Sequence, residues 1–188
     1  IPTCYQNREA EGDDFDEKQH GFFKWFLELF DRVINFNSQT ARAYVNNWSS
    51  NDRYYFRKLK LFSLNKEALF GADEAAECLL SFSQESFWDT SVRRELLFLI
   101  HDRWEQFSNK KRNELVERIL AGTDKMEGWN KKDYPNIRNE IACRYMKWLI
   151  LNKKIPLNKH VKKLDEMISN IAEWSDGWAT SIVRESSY

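Results

Sequence analysis

The chain is short of residues that reverse a backbone. Its 188 residues include only 6 Gly and 3 Pro, together about 5% where an ordinary chain carries roughly 12%. Sandwiches and barrels need a tight turn every several residues, so they are excluded. Disorder and collagen-like structure are excluded as well, because 42% of the residues are hydrophobic and 15% aromatic. The expectation is an all-α fold with an aromatic-rich core.

Apolar spacing supports this. Phe22, Phe26, Phe30 and Val33 recur at helical intervals, with Phe23, Leu27 and Ile34 beside them. Asn35 to Ser38 breaks that helix, and Ser38 is placed to cap the next, which carries Ala41, Tyr44, Val45 and Trp48. Gly71, Gly122, Pro135 and Pro156 fall at helix boundaries. Ser83, Thr90 or Ser91, and Ser108 are further caps, and Asp133 precedes Pro135 as cap and first-turn proline. The helix from Ile137 to Leu151 is apolar on most of its surface and is expected to be the most buried. Successive helices joined by short connections favour an irregular antiparallel array, solenoid-like (HEAT-like) in that helix pairs stack. No clean residue period accompanies it. Residues 1–14 read as an irregular acidic lead-in and 15–188 as a single helical domain. A start at Ile1 suggests a fragment of a longer chain.

Lys+Arg and Asp+Glu both number 29, which argues against a dedicated nucleic-acid binder. The balance is uneven, however: residues 1–100 hold 12 basic and 16 acidic side chains, and residues 101–188 hold 17 and 13. There is no apolar run of the ~18 residues a membrane helix needs. The polar, acidic start does not read as a signal peptide. Cys4, Cys78 and Cys143 are odd in number and far apart, which suggests a reducing, cytoplasmic setting without a disulfide framework.

The residues that carry chemistry are few. His20, His101 and His160 are scattered, with no Cys or His three or four residues from another. No metal site is expected. No Gly-rich phosphate loop is present, and no cofactor is expected. Cys78 and Cys143 lie mid-helix among apolar neighbours, where a thiol packs as a small hydrophobe. Arg144 beside Cys143 would lower its pKa if it acted alone.

Arg94 and His101 are seven residues apart in one helical stretch. They therefore share a face, roughly 10 Å apart along the axis. This spacing resembles that of HEPN-type ribonucleases, all-α domains acting on RNA. That resemblance implies an acid/base role for His101 and phosphate stabilisation by Arg94. A boundary histidine packed beside Trp104 is the other reading of the same residues. Lys110-Lys111-Arg112, Lys131-Lys132, Lys153-Lys154 and Lys162-Lys163 offer a nucleic-acid surface. They also suit helix ends as solvated charges. Trp174 and Trp178, four apart and flanking Gly177, are candidate anchors for a protein partner or for the closure of the chain's own core.

Several stretches share a wider pattern: Lys58 to Phe62, Asp73 to Leu80, Phe87-Trp88, Arg93 to Leu97, Arg103-Trp104, Arg118 to Gly122, and Trp174 to Trp178. Together they resemble helical C-terminal regions of large bacterial proteins that carry a sirtuin-like domain upstream, of the conflict and antiviral type. The resemblance covers about residues 52–180 and contains no catalytic motif. It implies a non-enzymatic scaffold, sensor or interaction module, with catalysis elsewhere in a longer chain. Its partners would be protein, or other domains of that chain.

Overall fold

In the computed structural model the described residues are 4–5, 17–48, 55–125, 129–154 and 156–180, with side chains of the first helix described from Phe22 onward. Among them the regular structure is entirely helical, and the array is all-α. The helices are α1 (Glu17–Phe36), α2 (Ser38–Asn47), α3 (Phe56–Leu64), α4 (Ala72–Leu80), α5 (Gln84–Trp88), α6 (Arg93–Arg103), α7 (Asn109–Ala121), α8 (Tyr134–Leu151) and α9 (Asn158–Ser169). Short 3-10 turns lie at Thr90–Val92 and Asp176–Ala179. Apart from Cys4 and Tyr5, the acidic lead-in over residues 1–14 lies outside the described residues.

Local capping explains many of the boundaries. Ser83 accepts from the Ser86 N–H at 3.1 Å, and Ser108 accepts from the Lys111 N–H at 3.3 Å. These bonds satisfy N–H groups that the first turn leaves without intrahelical partners. Gly122 ends α7 with φ +72°, a conformation that glycine adopts without steric cost. Pro135 sits in the first turn of α8.

Three caps differ from expectation. Asp133 stands at the start of α8, but its side chain makes no capping hydrogen bond. Asn37, rather than Ser38, caps α2, its Oδ1 accepting from the Thr40 N–H at 3.0 Å. Phe36 therefore still belongs to α1. Before α6 it is Asp89 that caps, accepting from the Ser91 N–H at 2.9 Å. Thr90 and Ser91 form the 3-10 turn that this carboxylate holds.

The core is centred on α6. Every residue from Glu95 to Ile100 is buried, and Leu96, Leu97, Leu99 and Ile100 are fully enclosed. Each such side chain contributes about 2 kcal/mol relative to exposure. This corrects the expectation that α8 is the most buried helix, since α8 buries only Ala142, Cys143, Tyr145, Met146, Trp148 and Leu149. The physical reason is position. Helices α3, α5 and α8 all pack against α6, whereas the first two turns of α8 are only half-buried or exposed.

The packing follows an alternating order. α3, α6 and α8 contact one another in succession, and α4, α7 and α9 form a second line of contacts. α1 and α2 pair at one end, and they reach the rest through α3 and through Arg42 of α2, which donates to the Leu69 carbonyl and pairs with Glu74 of α4. The two lines meet where α8 packs against α7 and α9, and long-range polar ties add to the packing. Arg118 on α7 donates to the carbonyls of Leu80 and Phe82 and lies 4.2 Å from the Phe87 ring centroid. That guanidinium satisfies carbonyls at the C-terminal end of α4. Buried Arg57 pairs with Asp89 at 2.7 Å, and buried Arg103 donates to the Phe70 carbonyl at 3.0 Å.

Candidate functional site

Arg94 and His101 flank the buried run of α6, and the structure links both to Tyr5. The Arg94 Nη2 donates to the Tyr5 carbonyl at 2.7 Å. At the other end, the Asn65 amide donates to the Tyr5 hydroxyl at 2.8 Å and to Asp102 Oδ2 at 2.7 Å. Asp102 Oδ1 in turn lies 2.9 Å from His101 Nδ1. The Tyr5 ring is clasped between Phe62 and Phe98, at 5.5 and 4.9 Å. Beside it, the Cys4 N–H donates to buried Glu95 at 3.0 Å. Burial pushes the Tyr5 hydroxyl well above its ordinary pKa.

Chemically, this is a clasp on the segment Cys4–Tyr5. A carboxylate that orients an imidazole is one component of acid–base catalysis. Here Arg94 is directed to a backbone carbonyl. His101 is half-buried and stands edge-on to Trp148 at 5.8 Å, where α8 packs against α6, and the Trp104 N–H donates to its carbonyl at 3.4 Å.

The basic clusters are interleaved with acids. Lys111 pairs with Glu77 and Glu114 at 3.5 and 3.1 Å, and the Glu114 hydrogen bond raises its pKa. Glu105 lies 3.8 Å from both Arg112 and Lys154. Lys110, Lys153, Lys162 and Lys163 are exposed, as are Lys131 and Lys132 ahead of α8. Carboxylates inserted among the cations weaken the uniform field that phosphate tracking uses.

Trp174 and Trp178 are brought together edge to face at 5.7 Å. The Trp174 indole donates to Asp176 at 2.8 Å, which holds that carboxyl below its usual range, and Asp176 also pairs with Lys147 on α8 at 3.6 Å. Trp174 packs against the main core, and Ala179 is buried. Trp178 remains 38% exposed and edges a shallow cleft over Arg93, Arg144, Tyr145 and Trp148. No family model, curated protein or solved structure matches this chain.

Among the described residues no group of three or more His, Cys, Asp or Glu is arranged to hold a metal ion. The side chain of His20 lies outside them. His160 is buried, with Nε2 3.5 Å from Glu117. Cys143 is buried and Cys78 partly so. Arg144 does not depress the Cys143 thiol. Burial pushes it up to about 12, and Arg144 instead faces Glu140 at 3.7 Å.

Sequence reasoning missed a surface on α1. Phe23, Leu27, Phe30 and Ile34 are its buried stripe. Phe22 was expected in the core and is instead 74% exposed, in line with Trp25 at 56%, Leu29 at 42% and Phe36 at 93%. At 100° per residue these four fall within about 60° of arc. Phe26 and Val33 lie half-buried between the two stripes, so α1 is apolar over more than half its circumference. The signal was present in the spacing: Phe22, Leu29 and Phe36 are seven residues apart, a seam period rather than a core period.

Proposed function

We propose that this chain is a non-enzymatic helical module for protein interaction, serving as scaffold or sensor in a larger bacterial protein of the antiviral-defence type. The observation that carries the reading is the outward stripe Phe22, Trp25, Leu29 and Phe36. Contiguous exposed aromatic surface of this kind is a hallmark of interaction sites. We read its helical array as solenoid-like, with stacked helix pairs, and such arrays present long surfaces to partners. The resemblance of residues 52–180 to regions beside sirtuin-like domains supplies the bacterial defence setting, with other domains of the same chain as partners. Three separate thiols fit the cytoplasm.

RNA incubation tests this reading against its rivals. The interaction module leaves intact RNA uncut. Cleavage that His101→Ala and Arg94→Ala abolish would replace it with the ribonuclease reading. Retention on RNA that collapses between low and moderate salt, and weakens on neutralising Lys110, Lys162 and Lys163, would replace it with the nucleic-acid-binding one.

A further inference from the structure

The outward stripe of α1 has an internal symmetry. Leu29 stands at its midpoint, with Phe22 seven residues before and Phe36 seven residues after. Each interval spans about 10 Å of helix. We infer that this face binds a second copy of the chain, α1 against α1 in antiparallel register, with the two-fold axis passing at Leu29. The inference rests on the reading of α1 as an interaction surface and names its occupant.

Three features select that occupant. The first is steric register. A two-fold axis at Leu29 places Leu29 on its own copy and sets Phe22 against Phe36 of the other copy, at both ends. Trp25 then falls opposite Val33, which is half-buried at the rim of the stripe. An isologous contact of this kind closes on itself without leaving a repeating edge.

The second is charge. On one shoulder of the stripe, exposed Lys24, Glu28 and Arg32 alternate in sign at four-residue intervals. The opposite shoulder is apolar, with Phe26 and Val33. In an antiparallel pair each shoulder meets its own kind. Glu28 of each copy then approaches Arg32 of the other, twice over, and the apolar shoulders meet together. A parallel pair would set the charged shoulder against the apolar one, desolvating charge without a partner. Charge complementarity of this sort selects orientation.

The third is area. At about 200 Å² for a large side chain, the exposures of the four stripe residues leave roughly 500 Å² of apolar surface on one α1. That is near the upper end of what a monomer displays. Two copies together cover on the order of 1,000 Å², the size at which specific interfaces begin. The pair is therefore a modest, reversible dimer at the lower end of specific interfaces.

Sedimentation velocity across the micromolar to submillimolar range tests the inference. The expected result is a concentration-dependent shift from monomer to twice the monomer mass. Leu29→Glu brings two carboxylates together on the axis and is expected to weaken association at least about tenfold. Because Leu29 already faces solvent, the helical circular dichroism of that variant stays unchanged. Glu28→Arg alone and Arg32→Glu alone each weaken the dimer several-fold, and the double reversal restores it. A chain that stays monomeric throughout, a dimer indifferent to Leu29→Glu, or a double reversal that fails to restore pairing would each overturn the inference. A monomer leaves the RNA experiment unaffected, so the failure of this pairing and the failure of the interaction reading give different results.

Discussion

Gly122 offers the sharpest test of how this chain turns a corner. It ends α7 at φ +72° and ψ −179°, a region that only glycine occupies comfortably. Forcing an L side chain into such a conformation costs on the order of 1–3 kcal/mol. A second cost comes from α8. A Cβ at Gly122 would stand 2.5 Å from Arg138 Cγ and 3.0 Å from its Nε. That side chain is not idle, since its Nε donates to the Ala121 carbonyl at 2.6 Å and its Nη2 donates to the same oxygen. The guanidinium thus satisfies a carbonyl at the end of α7 and ties α7 to α8. Displacing it forfeits a charge-assisted bond which, in this exposed place, is worth about 1 kcal/mol. Gly122→Ala should therefore destabilise by about 2–4 kcal/mol in urea unfolding, with the denaturant slope unchanged. In an Arg138→Ala background the clash vanishes and only backbone strain remains. There the same substitution should cost about 1 kcal/mol less. A cost below about 0.5 kcal/mol in the native background would refute the backbone argument. Equal costs in both backgrounds would refute the contribution of Arg138.

Acid should act through Asp73, whose Oδ1 accepts the Ser108 N–H at 2.7 Å and joins the starts of α4 and α7. That hydrogen bond lowers its folded pKa below 3.8. The stabilisation is therefore complete above the unfolded value of about 3.9 and disappears as pH falls through the lower folded value. Asp73→Ala should be less stable than the parent at neutral pH, and the gap should close in strong acid. A gap that stays constant across that range in denaturant titrations contradicts the assignment. Thiol labelling gives a second result: partly buried Cys78 should react first with iodoacetamide, followed by mass spectrometry. Cys143, held near 12 by burial, and enclosed Cys4 should react only on unfolding. Early labelling of Cys143 would mean that its packing is wrong.

Legibility in the sequence followed the range of the interaction. Ser83 and Ser108 cap their helices with bonds to residues three positions ahead, so the relevant partners lie within one turn of chain. Gly122 and Pro135 act through their own backbone dihedrals, and they too were readable. Where two adjacent residues were both competent caps, as at Asn37 and Ser38, composition did not decide between them. The choice went to Asn37, whose side-chain oxygen reaches the Thr40 N–H, and the chain enters α2 one residue earlier. The candidate site was legible only in its members. That Arg94 and His101 share a face follows from helix geometry. That both are linked to Tyr5, about 90 residues away, required the tertiary fold.

The shortage of glycine and proline, with apolar residues at helical spacing, was enough by itself to determine an all-helical chain. Each of those constraints acts on the backbone nearby, and none needs a distant partner. Tertiary structure alone decided which helix lies at the centre, because burial depends on how many neighbours close over a segment. It placed α6 there, between α3, α5 and α8. It also decided which arc of α1 faces inward. A helix apolar over more than half its surface has no intrinsic preference between arcs. Contact with Leu59 and Phe62 of α3 turned Phe23 and Leu27 inward and left Phe22, Trp25, Leu29 and Phe36 facing water.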